Sequence, residues 1–202
     1  MPRHNRVPRL TNGDPMPRVR VALKGETVDL RAHLKNRRGI VLGLEGAFLK
    51  ETTRILTDLL QLSSVLSSHA EFIACTVVND PEVLRSWGSS LGAGTRVTFI
   101  SDFEGDLARS FGYQVDLRGQ NLGLRCRRFV MIVEHSCIRR VWFDQDVEMA
   151  KVLEYLTGPS QEAPMPVVSM SPAAPFRERA RAMSVSESAV LKGKTASSAE
   201  TT

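Results

Sequence analysis

The sequence predicts a three-layer α/β domain around a mixed sheet, and three patterns carry that expectation. Short apolar runs with β-branched members occur at residues 39–44, 71–78 and 96–100, each bounded by charge, glycine or proline as buried strands are. Between them, apolar residues recur at helical spacing. Two further apolar runs then flank a tight turn, so the strand–helix alternation ends in a hairpin, which makes the sheet mixed.

The first strand is Gly39-Ile40-Val41-Leu42-Gly43-Leu44, ended by Glu45-Gly46. From Phe48 the period changes: Ile55, Leu56, Leu59, Leu60, Leu62, Val65 and Leu66 mark one face of a long helix to about residue 68. The second strand, 71–78, runs into Asn79-Asp80-Pro81, where Asn or Asp caps a helix and proline suits its first position; that helix continues to about residue 91. The third strand, 96–100, meets the capping-type pair Ser101-Asp102 and a short helix over 103–111. Residues 128–134 and 138–143 form the hairpin about His135-Ser136-Cys137, and 146–156 a closing helix.

A chain of 202 residues holds one such domain plus tails. The expected division is a basic arm over 1–24, the domain over 25–157 and a disordered tail over 158–202, where Pro, Ser, Ala and Met dominate without apolar period. The net charge of +5 resides in the arm: Arg3, Arg6, Arg9, Arg18, Arg20 and Lys24 face Asp14 alone, and the remainder sums to zero. Such an arm suits an acidic protein, a membrane surface, nucleic acid or a targeting role. Pro2, Pro8, Pro15 and Pro17 spoil the amphipathic helix of a mitochondrial presequence, so a solvated arm is the expectation. A neutral body without interleaved aromatics makes nucleic acid the weaker partner.

No run approaches the roughly 18 apolar residues of a transmembrane segment. The three cysteines, Cys75, Cys126 and Cys137, are odd in number and lack metal-ligand spacing, and His4, His33, His69 and His135 are scattered. A reducing intracellular compartment, cytoplasmic or mitochondrial, and no metal or other cofactor are expected.

Over residues 26–156 the chain resembles the peroxiredoxin family, closest to its atypical two-cysteine, redoxin-type branch that includes the fungal alkyl hydroperoxide reductases. The resemblance rests on Gly46-Ala47-Phe48 after the first strand, Ala74-Cys75 with Val78-Asn79-Asp80 after the second, Ser86-Trp87-Gly88, Ser101-Asp102 with Gly105, and Arg127-Arg128-Phe129. It implies a thioredoxin-like three-layer sandwich with a mixed central sheet. The family's active turn reads Pro-Gly-Ala-Phe-Thr-x-x-Cys. By that resemblance the shielding proline falls on Glu45, the peroxide-binding threonine on Leu49, the peroxidatic cysteine on Thr52, and the arginine on Arg128.

Three of the four roles are then altered. A hydroxyl gives no accessible anion and cannot enter the sulfenic-acid ladder that peroxide reduction uses, so Thr52 does not replace a thiolate. Leu49 offers no hydroxyl. Glu45 either pairs with Arg128 and plugs the former site or points to solvent. The alternative nucleophile is Cys126, which shares a strand face with Arg128 if both lie in one strand, and which Arg125, Arg127 and Arg128 surround. Cys75 reads as a core hydrophobe and Cys137 as an exposed turn residue. In the tail, Arg179 and Arg181 precede Ser184 in a pattern basophilic kinases read, making Ser184 a candidate phosphosite. The leading expectation is a degenerate peroxiredoxin serving as a structural or protein-interaction module, as a homodimer or within a larger assembly. The alternative is a thiol peroxidase using Cys126 with Arg128.

Overall fold

The computed structural model describes residues 8–23 and 26–158; most of the expected tail, including Ser184, lies outside them. In chain order the elements are β1 (Arg20–Leu23), β2 (Glu26–Asp29), α1 (Leu30–His33), β3 (Arg38–Leu44), α2 (Lys50–Leu66), β4 (Phe72–Val77), α3 (Pro81–Ser90), β5 (Thr98–Ser101), α4 (Asp106–Ser110), β6 (Gln114–Asp116), β7 (Leu124–Cys126), β8 (Phe129–Glu134), β9 (Cys137–Phe143) and α5 (Met149–Thr157). The central sheet has the order β5-β4-β3-β8-β9. β3, β4 and β5 run parallel, and β8 and β9 complete the sheet antiparallel. This is the thioredoxin-like mixed sheet the pattern implies.

The alternation of side chains along each strand divides the interior into two cores. Ile40, Leu42 and Leu44 of β3 meet Ile55, Leu56 and Leu59 of α2, Trp87 of α3 and Val152 of α5 on one face. Val41, with Met131 and Val133 of β8, meets Leu30, Leu34, Leu107 and Phe111 on the other. Gly43 is required where it stands: a Cβ there would lie 2.0 Å from the Phe129 ring.

The basic-arm expectation is corrected by residues 8–23. Met16, Val19, Val21 and Leu23 are buried, while Arg18, Arg20 and Ala22, which alternate with the last three, face solvent. This is the period-2 pattern of a half-buried strand, which a charge count does not register. β1 pairs with β2, and Asp29 caps α1 through the amides of Arg31 and Ala32. The domain therefore begins well before residue 25.

Smaller corrections follow from turn chemistry. Asp80 caps α3 by accepting from Val83 N at 2.9 Å, with Pro81 at the first turn as expected. α4 starts only at Asp106, because Phe103 to Gly105 form a turn before it. The β8–β9 turn is His135-Ser136 alone, both with positive φ, and Cys137 is not in it: it opens β9 opposite Glu134.

Candidate functional site

β3 delivers the chain at Leu44 into the stretch Glu45 to Leu49. Phe48 adopts φ 60°, a left-handed conformation that is costly for an aromatic residue, and its ring remains 58% exposed. Leu49 returns to extended backbone as the N-cap of α2, without a side-chain cap bond. The turn is tied down from neighbouring loops. Asn79 Oδ1 accepts from Ala47 N at 3.0 Å, and Ser101 Oγ donates to Asn79 O at 2.6 Å. The motif residues that are separate in sequence thus meet at the C-terminal ends of β3, β4 and β5.

Thr52 is 1% exposed, and its hydroxyl donates to the carbonyls of Gly46 (2.7 Å) and Leu49 (3.0 Å). It closes the first turn of α2 and has no proton left to offer a ligand. The Leu49 side chain lies over Gly46, its Cδ1 3.2 Å from where a Cβ would be. Trp87, fully buried, donates from Nε1 to Thr53 Oγ1 at 3.2 Å and supports the turn from beneath.

Arg128 precedes β8, and its carbonyl accepts from Asp144 N at 3.2 Å. Its guanidinium lies 3.1 Å from Glu45 Oε1 and 3.6 Å from Glu51 Oε1. The expected Glu45–Arg128 pair is therefore present, and the solvent-pointing alternative for Glu45 is not. Glu45 and Arg128 are only 21% and 18% exposed, and Glu45 Oε2 and Arg128 Nε are buried without hydrogen-bond partners. Glu51 was not foreseen as the second carboxylate. Hydrogen bonding to Arg54, with lesser help from the charges of Arg54 and Arg128, holds its carboxyl below the usual range.

Cys126 does not share a strand with Arg128. The ladder breaks after Cys126, which ends β7 opposite Gln114 of β6, and Arg127 N bonds Tyr113 O at 2.7 Å. Cys126 is 1% exposed in the second core. Burial, then the negative charges of Asp102 and Glu45, push its thiol well above the ordinary value, which opposes the thiolate the alternative mechanism requires. The surrounding arginines are engaged elsewhere: Arg127 with Asp144, Arg125 with the carbonyls of Leu122 and Val78. Cys75 is likewise buried, with its thiol raised by desolvation. Cys137 is half-buried, and all three thiols are free.

A concavity of about 830 Å³ lies at the opposite end of the sheet, near Leu23, His33, Arg37, Ser67, Phe72 and Arg96. Arg96 there is engaged by the backbone, donating to the carbonyls of Leu60, Gly92 and Ala93. No helix among the described residues is long and apolar enough to cross a membrane.

This geometry agrees with what the chain is similar to. The Redoxin family profile matches residues 11–155. Peroxiredoxin-2D of Arabidopsis thaliana is 26% identical over 133 residues, covering 62% of this chain and 82% of that protein. The mitochondrial peroxiredoxin-2F of the same plant is 27% identical over 123 residues, covering 60% and 61%. Among solved structures, peroxiredoxin 5 from Alvinella pompejana superposes with a TM-score of 0.66 at 25% identity, covering 71% of this chain and 96% of that one. Sheet order, the strand-end convergence of the motif residues and a family match over most of the length agree, and the chain belongs to the redoxin family, as a member of the peroxiredoxins.

Proposed function

We propose that this chain has lost thiol-peroxidase chemistry and acts as a structural or protein-interaction module, either as a homodimer or as a subunit of a larger assembly. The observation that carries the reading is at Thr52. The residue that the family resemblance aligns with the peroxidatic cysteine is an alcohol whose only proton is committed to the carbonyls of Gly46 and Leu49. Peroxide reduction needs a thiolate to attack one peroxide oxygen. The O–O bond then breaks, sulfur becomes sulfenic acid, and water or an alcohol leaves after proton uptake. A hydroxyl locked as a helix-turn donor supplies neither the anion nor the oxidisable atom. Glu45 supports the same reading, because it occupies the guanidinium that would otherwise meet the oxidant. The free thiols support a reducing intracellular compartment, cytoplasmic or mitochondrial.

The test is stopped-flow reaction with hydrogen peroxide in the presence of a sulfenic-acid trap. The expected result is trapping no faster than for free cysteine. Consumption orders of magnitude faster would defeat the proposal. The second reading is a thiol peroxidase; the names of the relatives favour that activity, and on this chain it would have to use Cys126. It requires fast trapping that disappears in Cys126→Ser. Thr52→Cys with Leu49→Thr then asks whether the scaffold regains reactivity once sulfur is restored.

A further inference from the structure

The concavity at the start of β4 and β5 combines apolar lining with unpaired positive charge. Leu23, Val28, Phe72 and Ile73 line it, and all are buried or half-buried. Arg37, also in the lining, belongs to the run Leu30 to Arg38, which carries Arg31, Lys35, Arg37 and Arg38 and no acid. Arg38 pairs with Glu134, whereas Arg31, Lys35 and Arg37 are exposed and join no ion pair among the described residues. Arg37 Nη1 donates to His33 Nε2 at 3.1 Å; a guanidinium cannot accept, so that ring nitrogen is unprotonated and the imidazole neutral. Two acids line the same space. Glu71 accepts from Arg38 N at 2.7 Å and lies in the field of Arg38 and Arg37, which leaves Glu26 against the unpaired cations.

The chain carries the complementary shape at the other end of β5. Phe103 follows that strand within Asp102-Phe103-Glu104-Gly105-Asp106, and at 64% exposure it is the most exposed large apolar side chain among the described residues. The loop beneath it is fixed. Asp102 turns inward to accept from Leu107 N and Ala108 N, both at 2.9 Å, and Asp106 pairs with Arg109. Glu104 is exposed and joins no ion pair among the described residues. The other exposed ring, Phe48, has a lysine rather than acids close by in sequence and rests against Trp87 at 6.3 Å. Because Phe103 leaves β5 at one end and the cavity opens at the other, a chain cannot fill its own cavity.

We propose that this cavity receives Phe103 of the partner subunit, a second copy of the chain, with the partner's Glu104 meeting Arg37. An aromatic side chain held in a desolvated pocket, with charge at its edge, is the usual anchor of a protein interface. The contact is heterologous: each added copy leaves one cavity and one projecting ring free, so assembly continues as an open row or closes as a ring. Other acidic partners match the surface less closely. Its apolar part is recessed, so nothing here enters a bilayer. Phe72, 7% exposed and met by the His33 ring at 5.0 Å, presents no stacking face to a nucleic-acid base. The inference rests on the assembly part of the proposed function and not on the loss of peroxide chemistry.

Sedimentation velocity on the full chain over a concentration series tests it. At low salt the unaltered chain should grow beyond a dimer as concentration rises, and added salt should reverse the growth, because the charges involved are exposed. Phe103→Ala and Arg37→Glu should each raise the dissociation constant about tenfold or more, as loss of an interface anchor does. Mixing the two variants is the sharper measurement. Phe103→Ala keeps its cavity and Arg37→Glu keeps its projecting ring, so the mixture should form one-to-one pairs and stop there. If Arg37→Glu does not fold, Ser67→Trp, which narrows the cavity from the end of α2, replaces it. A chain that stays monomeric, with or without RNA or anionic vesicles bound, would overturn the proposal, as would a mixture that sediments as separate monomers. A discrete dimer indifferent to both substitutions would overturn this contact and keep the assembly reading. Fast peroxide consumption by a chain that assembles as described would remove the lost-chemistry reading and leave the contact.

Discussion

Removing Arg128 should cost this protein more than removing its partner Glu45, and the reason lies in which charge is left behind. In Arg128→Met, Glu45 keeps a largely desolvated carboxylate with no other cation paired to it among the described residues. Breaking a fully buried pair costs about 3–5 kcal/mol; with both side chains about four-fifths buried, a loss of about 2–4 kcal/mol follows. In Glu45→Leu, Arg128 retains Glu51 at 3.6 Å, and about 1–2 kcal/mol is expected. The double variant Glu45→Leu, Arg128→Met replaces the pair with apolar volume and should return to within about 1 kcal/mol of the native chain. Urea unfolding with a constant m-value measures all three. Thermal midpoints provide a second measure, since about 1 kcal/mol corresponds to about 2–4 °C for a domain of this size. A loss below about 0.5 kcal/mol in Arg128→Met, or single losses that simply add in the double variant, would refute the argument that the pair is mutually required.

Gly43→Ala should destabilise by about 2 kcal/mol or more, because its new Cβ would fall 2.0 Å from a ring of the fully buried Phe129; a change under about 0.5 kcal/mol in denaturant midpoint would show that Phe129 repacks freely. Thiol titration with a maleimide should label Cys137 in the native protein and reach Cys75 and Cys126 only on unfolding, and simultaneous labelling of all three would contradict their burial. Stability should fall on the acid side partly through Asp144. Hydrogen bonding to Arg127 holds its folded carboxyl below the ordinary value, so the unfolded chain takes the proton first. Its contribution is complete above about pH 4 and fades as pH drops through the lowered folded value. Asp144→Asn should flatten that limb, and an unchanged slope between about pH 4 and 2 would exclude the pair as its source.

The strand and helix series from residue 38 to 110, with the closing hairpin and helix over 129–157, was legible because short β-branched runs and helical spacing are local properties, whereas the three-residue strands β6 and β7 are too short to show a period. Asp80-Pro81 at the start of α3 is the clearest case, a capping residue and a proline whose meaning needs no tertiary context. β1 was hidden for the opposite reason: Arg18 and Arg20 dominate the charge count, while the Val19, Val21 and Leu23 between and beyond them identify the strand only once a core exists to receive them. The Glu45–Arg128 pair was one of two alternatives, and it rested on the family resemblance that brings both residues to one site. The second carboxylate, Glu51, and the Asn79 clamp on Ala47 depend on where a helix start and a distant loop come to rest.

Residue identity alone determined that the turn after β3 carries an alcohol, a leucine and a carboxylate, and therefore no ionisable sulfur. Chemistry of that kind belongs to atoms and survives any folding. The surroundings of Cys126 were decided only in three dimensions, where the break between β7 and β8 turns its side chain into an apolar core near two carboxylates instead of toward three guanidiniums. The course of residues 12–16 along the edge of β9 was decided there too. Its bonds join residues more than a hundred positions apart, and no periodicity within either segment records which edge the other will cover.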